Sequence, residues 1–242
     1  LKTENFSNKF KPKRKFLIFS SIGKRQTDIQ AIDLWKKNNK IRNFDIVLYY
    51  YKGDIPKNCV DYCVKRKGTK FDNFYDFISK NDVSKYKGIW VVDDDIQIKT
   101  KDINTMFLLF EKYKLDIGQP AFTRNSLISH PHTIQNKNNL IRYTNFIENG
   151  VFILSYKAIQ KCKNVFKNAK SGWGIDYICC KKLDNKKNVA IIDRVACFHP
   201  HSKSSLNEII PRGLHPSNGD ILYKEHKIKP YTIKIYKAIK KN

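Results

Sequence analysis

Three consecutive carboxylates, Asp93-Asp94-Asp95, follow directly on the apolar run Gly88-Ile89-Trp90-Val91-Val92. Adjacent carboxylates repel, and such a cluster is tolerable where a hard cation or several hydrogen-bond donors neutralise it. In an extended segment Asp93 and Asp95 point to the same side, so the pair can face one divalent ion, Mn²⁺ or Mg²⁺. A strand ending in Asp-x-Asp suits metal-assisted handling of a nucleotide diphosphate, because the ion bridges both phosphates and stabilises the departing charge. An acidic loop or helix cap is the plainer reading of the same triplet. A second segment, Gly172-Trp173-Gly174-Ile175-Asp176, offers glycines for a tight turn, an indole face for stacking and a carboxylate at a helix start. Glu148 follows the apolar pair Phe146-Ile147. His199 and His201 share a face if their segment is extended, and neutral imidazole fits an otherwise oxygen-rich Mn²⁺ site. Both histidines also read as ordinary loop residues beside Pro200.

These residues need a frame to position them. Lys15 to Ser20 reads as a short buried strand that ends in Ser20-Ser21-Ile22-Gly23, and Thr27 or Asp28 then caps a helix carrying Ile29, Ile32, Leu34 and Trp35. Phe44 to Tyr50 and Cys59 to Val64 give two further strands. Lys70 to Ile78 places Phe71, Phe74, Tyr75, Phe77 and Ile78 at helical spacing. The strand Gly88–Val92 precedes the triplet, and a helix runs from Thr100 or Asp102 to about Tyr113. Strands alternating with helices predict an α/β fold with a mixed, mainly parallel sheet flanked by helices. Later the order loosens: strands at 140–147, 151–155, 189–192 and 195–198, with helices at 156–166 and 174–183. The expected organisation is a basic arm over 1–14, then one domain over 15–242. That domain divides into a nucleotide-binding half (about 15–120), an acceptor half (about 121–205) and a helical tail (about 206–242). Ligands of open α/β sheets bind beyond the carboxyl ends of strands. Ser20, Ser21 and Gly23 are therefore expected to touch a nucleotide, and one tyrosine of Tyr49, Tyr50 and Tyr51 to stack on its base, with Tyr50 the working choice.

Composition narrows the classes. The 242 residues contain 41% hydrophobic and 13% aromatic residues, enough for a sizeable core. Collagen-like, coiled-coil and disordered chains are excluded. No run approaches the roughly 18 apolar residues of a membrane span. Lys+Arg 47 against Asp+Glu 22 gives a net charge of +25, which invites anionic partners. The lysines are spread along the chain without a nucleic-acid motif, so loose attraction to an anionic membrane surface is expected rather than a specific nucleic-acid site. The six cysteines lack CxxC spacing and read as reduced core thiols, which favours a cytoplasmic location, peripheral to a membrane at most. The chain begins at Leu1, which leaves room for an upstream targeting segment.

The segment Tyr86 to Asp95 resembles the strand-plus-DxD signature of GT-A nucleotide-sugar glycosyltransferases. The likeness extends to an uncharacterised, plant-type family of glycosyltransferase-like proteins. It rests on Lys67-Gly68-Thr69-Lys70, Asp93-Asp94-Asp95, Ile117-Gly118-Gln119-Pro120-Ala121, Gly172-Trp173-Gly174-Ile175-Asp176, and Ile191-Ile192-Asp193 followed by His199. These matches keep their order over roughly residues 15–202; Asp94 stands where that family has Glu, and Gly118 where it has Ser. The resemblance implies a single GT-A-like (Rossmann-like) domain and sugar transfer from a nucleotide sugar; the expected activity is an inverting, metal-dependent glycosyltransferase using a nucleotide-diphosphate sugar, a UDP-sugar, with a glycan acceptor. It implies that Asp93, Asp95 and His199 bind the metal, with Asp94 beside the donor. It implies that Lys67 and Lys70 contact diphosphate or ribose, and that Gln119, Arg124 and Trp173 line the sugar pocket. Asp176 is then the general base and Glu148 the competing base. His130 and His132, which bracket Pro131, read as an acceptor-facing loop. Two other classes fit the triplet: a metal-dependent nuclease or phosphotransferase, and a basic, non-catalytic binding module.

Overall fold

The computed structural model describes residues 10–23, 25–57, 59–169, 171–200 and 217–241. Two apolar runs, β1 (Phe16–Ile22) and β2 (Phe44–Tyr50), are buried along their whole length, as expected of strands covered on both faces. They lie parallel, and β1 also runs parallel to β4 (Gly88–Val92), while β3 (Tyr62–Lys65) adds to the outside of β2. Between these strands come α1 (Gln26–Lys36), α2 (Lys70–Lys80) and α3 (Thr100–Lys112). α1 begins three residues earlier than a cap at Asp28 would start it, with Arg25 at the cap position. Asp28 instead sits inside the first turn and accepts the Arg25 backbone N–H at 3.0 Å, the reciprocal half of a capping box.

The second half supplies β5 (Ile117–Phe122), β6 (Asn139–Thr144), β7 (Val151–Leu154), α4 (Tyr156–Asn168), α5 (Ile175–Leu183), β8 (Val189–Cys197), α6 (Asn218–His226) and β9 (Ile235–Lys240). All nine strands form one sheet, in the order β3-β2-β1-β4-β7-β5-β8-β6-β9. Within this single mixed sheet β7 inserts antiparallel between β4 and β5, and β6 is antiparallel to both β8 and β9. Two apolar layers cover the sheet. On one face Phe71, Phe74 and Phe77 of α2 pack with Val165 and Phe166 of α4. On the other, Trp35 of α1 and Phe107 and Phe110 of α3 pack with Trp90. Each such aromatic contributes about 2–3 kcal/mol of burial, so truncating Phe107 would loosen the α3 layer that backs β4.

Three expectations change here. Ile235–Lys240 is an edge strand paired with β6, not part of a helical tail; only Asn218–His226 of that tail is helical. The apolar residues of β9, Ile235, Tyr236, Ala238 and Ile239, have helical spacing, and pairing with β6 overrides that local pattern. The strands expected at 189–192 and 195–198 are one strand: pairing with β5 jumps from Ile192 to Ala196, and Asp193 turns in the bulge to meet Arg142 at 2.6 Å. Cys59 and Cys63 form a disulfide, with Cα atoms 6.4 Å apart, while Cys162, Cys179, Cys180 and Cys197 are buried free thiols. The turn into β3 brings the two sulfurs together, a proximity that spacing alone does not reveal. The cytoplasmic expectation loses the support of six reduced thiols. Among the described residues no helix is long and apolar enough to cross a membrane.

Candidate active site

The strand order reverses direction between β1 and β4, the kind of switch point at which open α/β sheets bind ligands. β4 ends there in the acidic triplet. The chain does not continue extended: the Asp93 N–H donates to Gly150 O at 2.9 Å, and a turn closes with Ile96 N–H donating to Asp93 O at 3.4 Å. The three carboxylates consequently diverge. Asp93 accepts from Lys70 Nζ at 2.6 Å. Asp94 accepts from Arg25 Nη2 at 2.5 Å, from the Gly23 N–H at 3.1 Å and from the Tyr51 hydroxyl at 3.4 Å. Asp95 lies 3.6 Å from Arg25 Nη2 and 3.5 Å from His199 Nε2. Buried Asp28 also uses Arg25, at 2.9 Å from its Nε. Four carboxylates thus face two cations, Arg25 and Lys70. Burial, together with the neighbouring Asp28 charge, pushes Asp94 up to about 8, and burial also raises Asp95. Carboxyl groups thus outnumber cations in the pocket, a surplus that a proton or a further cation offsets.

That surplus bears on whether a divalent ion fits. His199 Nδ1 lies 3.0 Å from the Leu127 carbonyl, so Nδ1 carries the hydrogen and donates it. Nε2 then presents its lone pair to Asp95 Oδ1 at 3.5 Å, an approach that is favourable only with a proton or a metal cation between the two. A histidine whose far nitrogen is fixed by a backbone carbonyl is the usual arrangement of a metal ligand. One carboxylate oxygen and one imidazole nitrogen are donors of the kind that suit Mn²⁺, or Mg²⁺ through the oxygen. Among the described residues no group of three His, Cys, Asp or Glu side chains is gathered to hold a metal unaided, because Asp93 turns away toward Lys70.

Lys70 leads to a second acidic group. Its ammonium also donates to Asn149 O at 2.8 Å, and Asn149 Nδ2 donates to Asp176 Oδ2 at 3.2 Å and to Gly172 O at 3.0 Å. Gly172 and Gly174 hold φ values of +85° and +87°, a left-handed backbone that favours glycine, and this turn sets Asp176 in the first turn of α5. Gly150 is fixed for another reason: a Cβ there would stand 2.8 Å from Asp93 Oδ2. Glu148 accepts at Oε1 from the His130 N–H and the Thr133 hydroxyl, both at 3.2 Å, and its own N–H donates to Gln119 Oε1 at 2.7 Å. Burial raises Glu148 to about 7, with the charges of Asp176 and Asp93 adding to the effect. Burial raises Asp176 to about 6 against the pull of its hydrogen bonds. Around them stand aromatic rings: Phe146 lies 4.6 Å from both the His130 and the Tyr177 ring centres. Burial lowers His132 to about 4 and lowers His130 as well, so both imidazoles are neutral at physiological pH.

The structure therefore brings together Asp93, Asp94, Asp95, His199, Lys70 and Gly23 on one side, and Glu148, Asp176 and Gln119 on the other. Ser20 and Ser21 lie beneath, tied to Val92 O at 2.8 Å and to Asn73 Nδ2 at 3.0 Å. Tyr50 is a correction: its ring is buried in the core with Trp90 and Val92, and Tyr51, one residue later, reaches Asp94. Strand alternation decides this, since neighbours face opposite ways. Lys67 and Arg124 are exposed, and Trp173 is 42% exposed at the turn before Asp176. His201 lies outside the described residues. Sequence reasoning missed Arg25, Asn149 and Thr133. Arg25 had a signal, since Asp28 three residues on marks a capping box; the other two carry none.

The single mixed sheet flanked by helices is similar to the fold of a glycosyltransferase of known structure. The crystal structure of S. aureus TarS, a glycosyltransferase, matches with a TM-score of 0.56 at 10% identity, covering 88% of this chain and 43% of that one. TarS 1-349 in complex with UDP-GlcNAc matches at 0.52 and 9% identity over 88% and 71% of the two chains. Its complex with UDP matches at 0.51 and 9% over 88% and 70%. The chain thus spans less than half of the TarS chain in the first of these structures. No curated protein matches the sequence. The family described as "Protein of unknown function (DUF707)" matches residues 2–149, more than half of the chain, and the protein belongs to that family.

Proposed function

We propose that the protein is a metal-dependent, inverting glycosyltransferase that moves a sugar from a nucleotide-diphosphate donor, a UDP-sugar, to a hydroxyl of a glycan or glycoconjugate. The observation that carries the reading is the pairing of two differently built acidic groups, the triplet with His199 and the pair Glu148 and Asp176, joined through Lys70 and Asn149. TarS structures with UDP and UDP-GlcNAc support the donor class. Asp95 and His199 would hold the ion, and Lys70, beside Asp93, would bind the donor phosphates. A bound Mn²⁺ or Mg²⁺ supplies Lewis-acid stabilisation of the leaving diphosphate. Asp94, fixed by Arg25 and the Gly23 N–H, orders the nucleotide side, and Tyr51 takes the place expected of Tyr50. Asp176 accepts the acceptor hydroxyl proton at Oδ2 as the oxygen attacks the anomeric carbon. Asn149 aims that carboxylate. Glu148, held through Gln119 and Thr133, binds a second acceptor hydroxyl and is the competing base.

Titration of UDP with and without Mn²⁺ tests the reading. Saturable UDP binding that requires the metal is expected. Metal-independent or absent UDP binding would remove it and favour a nuclease, a phosphotransferase or a basic binding module.

A further inference from the structure

The motif Ile191-Ile192-Asp193 ends in a carboxylate that belongs to neither acidic group of the site. Asp193 sits in the bulge of β8, where pairing with β5 jumps from Ile192 to Ala196, and it is fully buried. Bulges beside active sites commonly re-aim a side chain. Here the carboxylate is turned to Arg142 of β6 and meets it as a fork: Nε donates to Oδ2 at 2.6 Å and Nη2 to Oδ1 at 2.9 Å. A buried ion pair often stabilises no more than apolar residues of the same volume, so the other bonds of the pair are informative. Arg142 also donates from Nη1 to His132 O and from Nη2 to Ile134 O, both at 2.7 Å. Asp193 Oδ1 accepts the Asn136 N–H at 2.9 Å, and the Asp193 carbonyl accepts from Gln135 Nε2 at 2.8 Å. The pair thus grips His132, Ile134, Gln135 and Asn136 of one connection, which contains the turn Pro131–Thr133. On that connection lie the two groups that hold Glu148 Oε1, the His130 N–H and the Thr133 hydroxyl. The His132 carbonyl taken by Arg142 belongs to the peptide that joins His132 to Thr133. Arg142 therefore fixes the plane from which Thr133 is presented.

We infer that Arg142 and Asp193 are positioning residues of the acceptor side: through this connection they set where the His130 N–H and the Thr133 hydroxyl hold Glu148. The inference rests on the acceptor-side role proposed for Glu148, whereas the positioning itself is readable without any substrate. A planar guanidinium reaches both carboxylate oxygens and two carbonyls at once; an ammonium at position 142 keeps the charge and loses the fork.

The readout is the His130 backbone amide in the NMR spectrum of the substrate-free protein. Its shift should follow the ionisation of Glu148 with a midpoint of about 7. Glu148→Gln should abolish that transition, which separates it from the other groups facing Glu148: Asp176, Asp93 and the imidazoles of His130 and His132. Arg142→Lys is the first variant. Arg142→Met/Asp193→Leu is the second, since removing both charges leaves no uncompensated ion to unfold the protein. Phe107→Leu, in the α3 layer, is the control for general loosening. In both Arg142 variants the His130 transition should shrink severalfold, and His130 amide exchange should accelerate about tenfold more than exchange of the β1 amides. In the control the two should accelerate together, with the transition intact. UDP affinity in Mn²⁺ should stay within about twofold of wild type in Arg142→Lys. Turnover of UDP-GlcNAc should fall in Arg142→Lys, and Arg142→Lys/Glu148→Gln should be no slower than Glu148→Gln, because a residue acting through Glu148 has nothing left to position. A full-sized His130 transition in both Arg142 variants would overturn the inference. So would an equal loss in Phe107→Leu, a wild-type shift indifferent to Glu148→Gln, or additive losses of turnover. A protein that neither binds UDP nor turns over UDP-GlcNAc would sink the proposed function and leave the amide result to decide the positioning.

Discussion

The two acidic groups of the active site are built differently. At the triplet, cations do the neutralising: Lys70 serves Asp93, and Arg25 serves Asp28, Asp94 and Asp95. At Glu148 and Asp176 the partners are neutral: backbone N–H groups, the Thr133 hydroxyl and the Asn149 amide. The first group has more carboxyl groups than cations, and under the proposed function a metal ion would supply the missing charge. The second is relieved by a proton, and burial has moved both of its members toward neutral pH. A group meant to accept a proton works best with a pKa near the working pH. On the proposed function, the contrast would separate ion holding from proton handling within one site.

The sharpest break in that division comes from Asp176→Asn. General-base catalysis is worth about 10²–10⁴-fold, so turnover should fall by that factor while UDP affinity in Mn²⁺ stays within about twofold. Retention of anomeric configuration in the product, read by NMR, would sink the direct-displacement mechanism. If Asp176→Asn remains active and Glu148→Gln is dead, the proton acceptor is Glu148. With Asp176 as base, wild-type kcat/KM should rise with pH through about 6, because the carboxylate must be ionised; a profile flat from pH 5 to 8 would contradict it.

A smaller effect tests the ion-holding side. Asp95→Ala relieves repulsion in the metal-free protein but deletes a ligand. Metal-dependent UDP affinity should drop roughly 10–100-fold with an unchanged melting temperature, and wild-type affinity would remove Asp95 from the metal site. His199→Ala should weaken Mn²⁺ binding more than Mg²⁺ binding, since nitrogen ligation favours the softer ion. Equal losses would make His199 a structural residue that braces Leu127.

The smallest effect is on stability. Folding raises Glu148 from its ordinary value to about 7, so its neutral form is favoured in the native state. That contribution is complete below the unfolded value of about 4.5 and is lost as pH rises through about 7. Glu148→Gln, which never ionises, should therefore gain about 1–2 kcal/mol on wild type between pH 5 and pH 8, discounted for partial exposure. Denaturant melts at the two pH values measure it, and an equal difference at both would show that Glu148 is not displaced by burial.

The apolar runs of β1, β2 and β4 were legible because strands buried on both faces leave a continuous signature. The helical spacing of Phe71, Phe74 and Phe77 was equally plain, and so was the acidic triplet on its strand end. These are local patterns, fixed by which neighbouring residues share a face. β9 and the joined β8 were less legible, since an edge strand and a bulge owe their form to the partner strand. The sequence by itself determined that three carboxylates must gather beyond β4, because the buried run before them admits no other place. It did not determine where they point. The turn after Val92 sends Asp93 to Lys70, Asp94 to Arg25 and Asp95 to His199, partners that lie 23, 69 and 104 positions away. Only the tertiary structure decided that, because charge pairing across a switch point depends on which strands adjoin and not on spacing along the chain. The contact of Tyr51, rather than Tyr50, with Asp94 and the Cys59–Cys63 bond were decided in the same way, by the direction each side chain takes from its backbone.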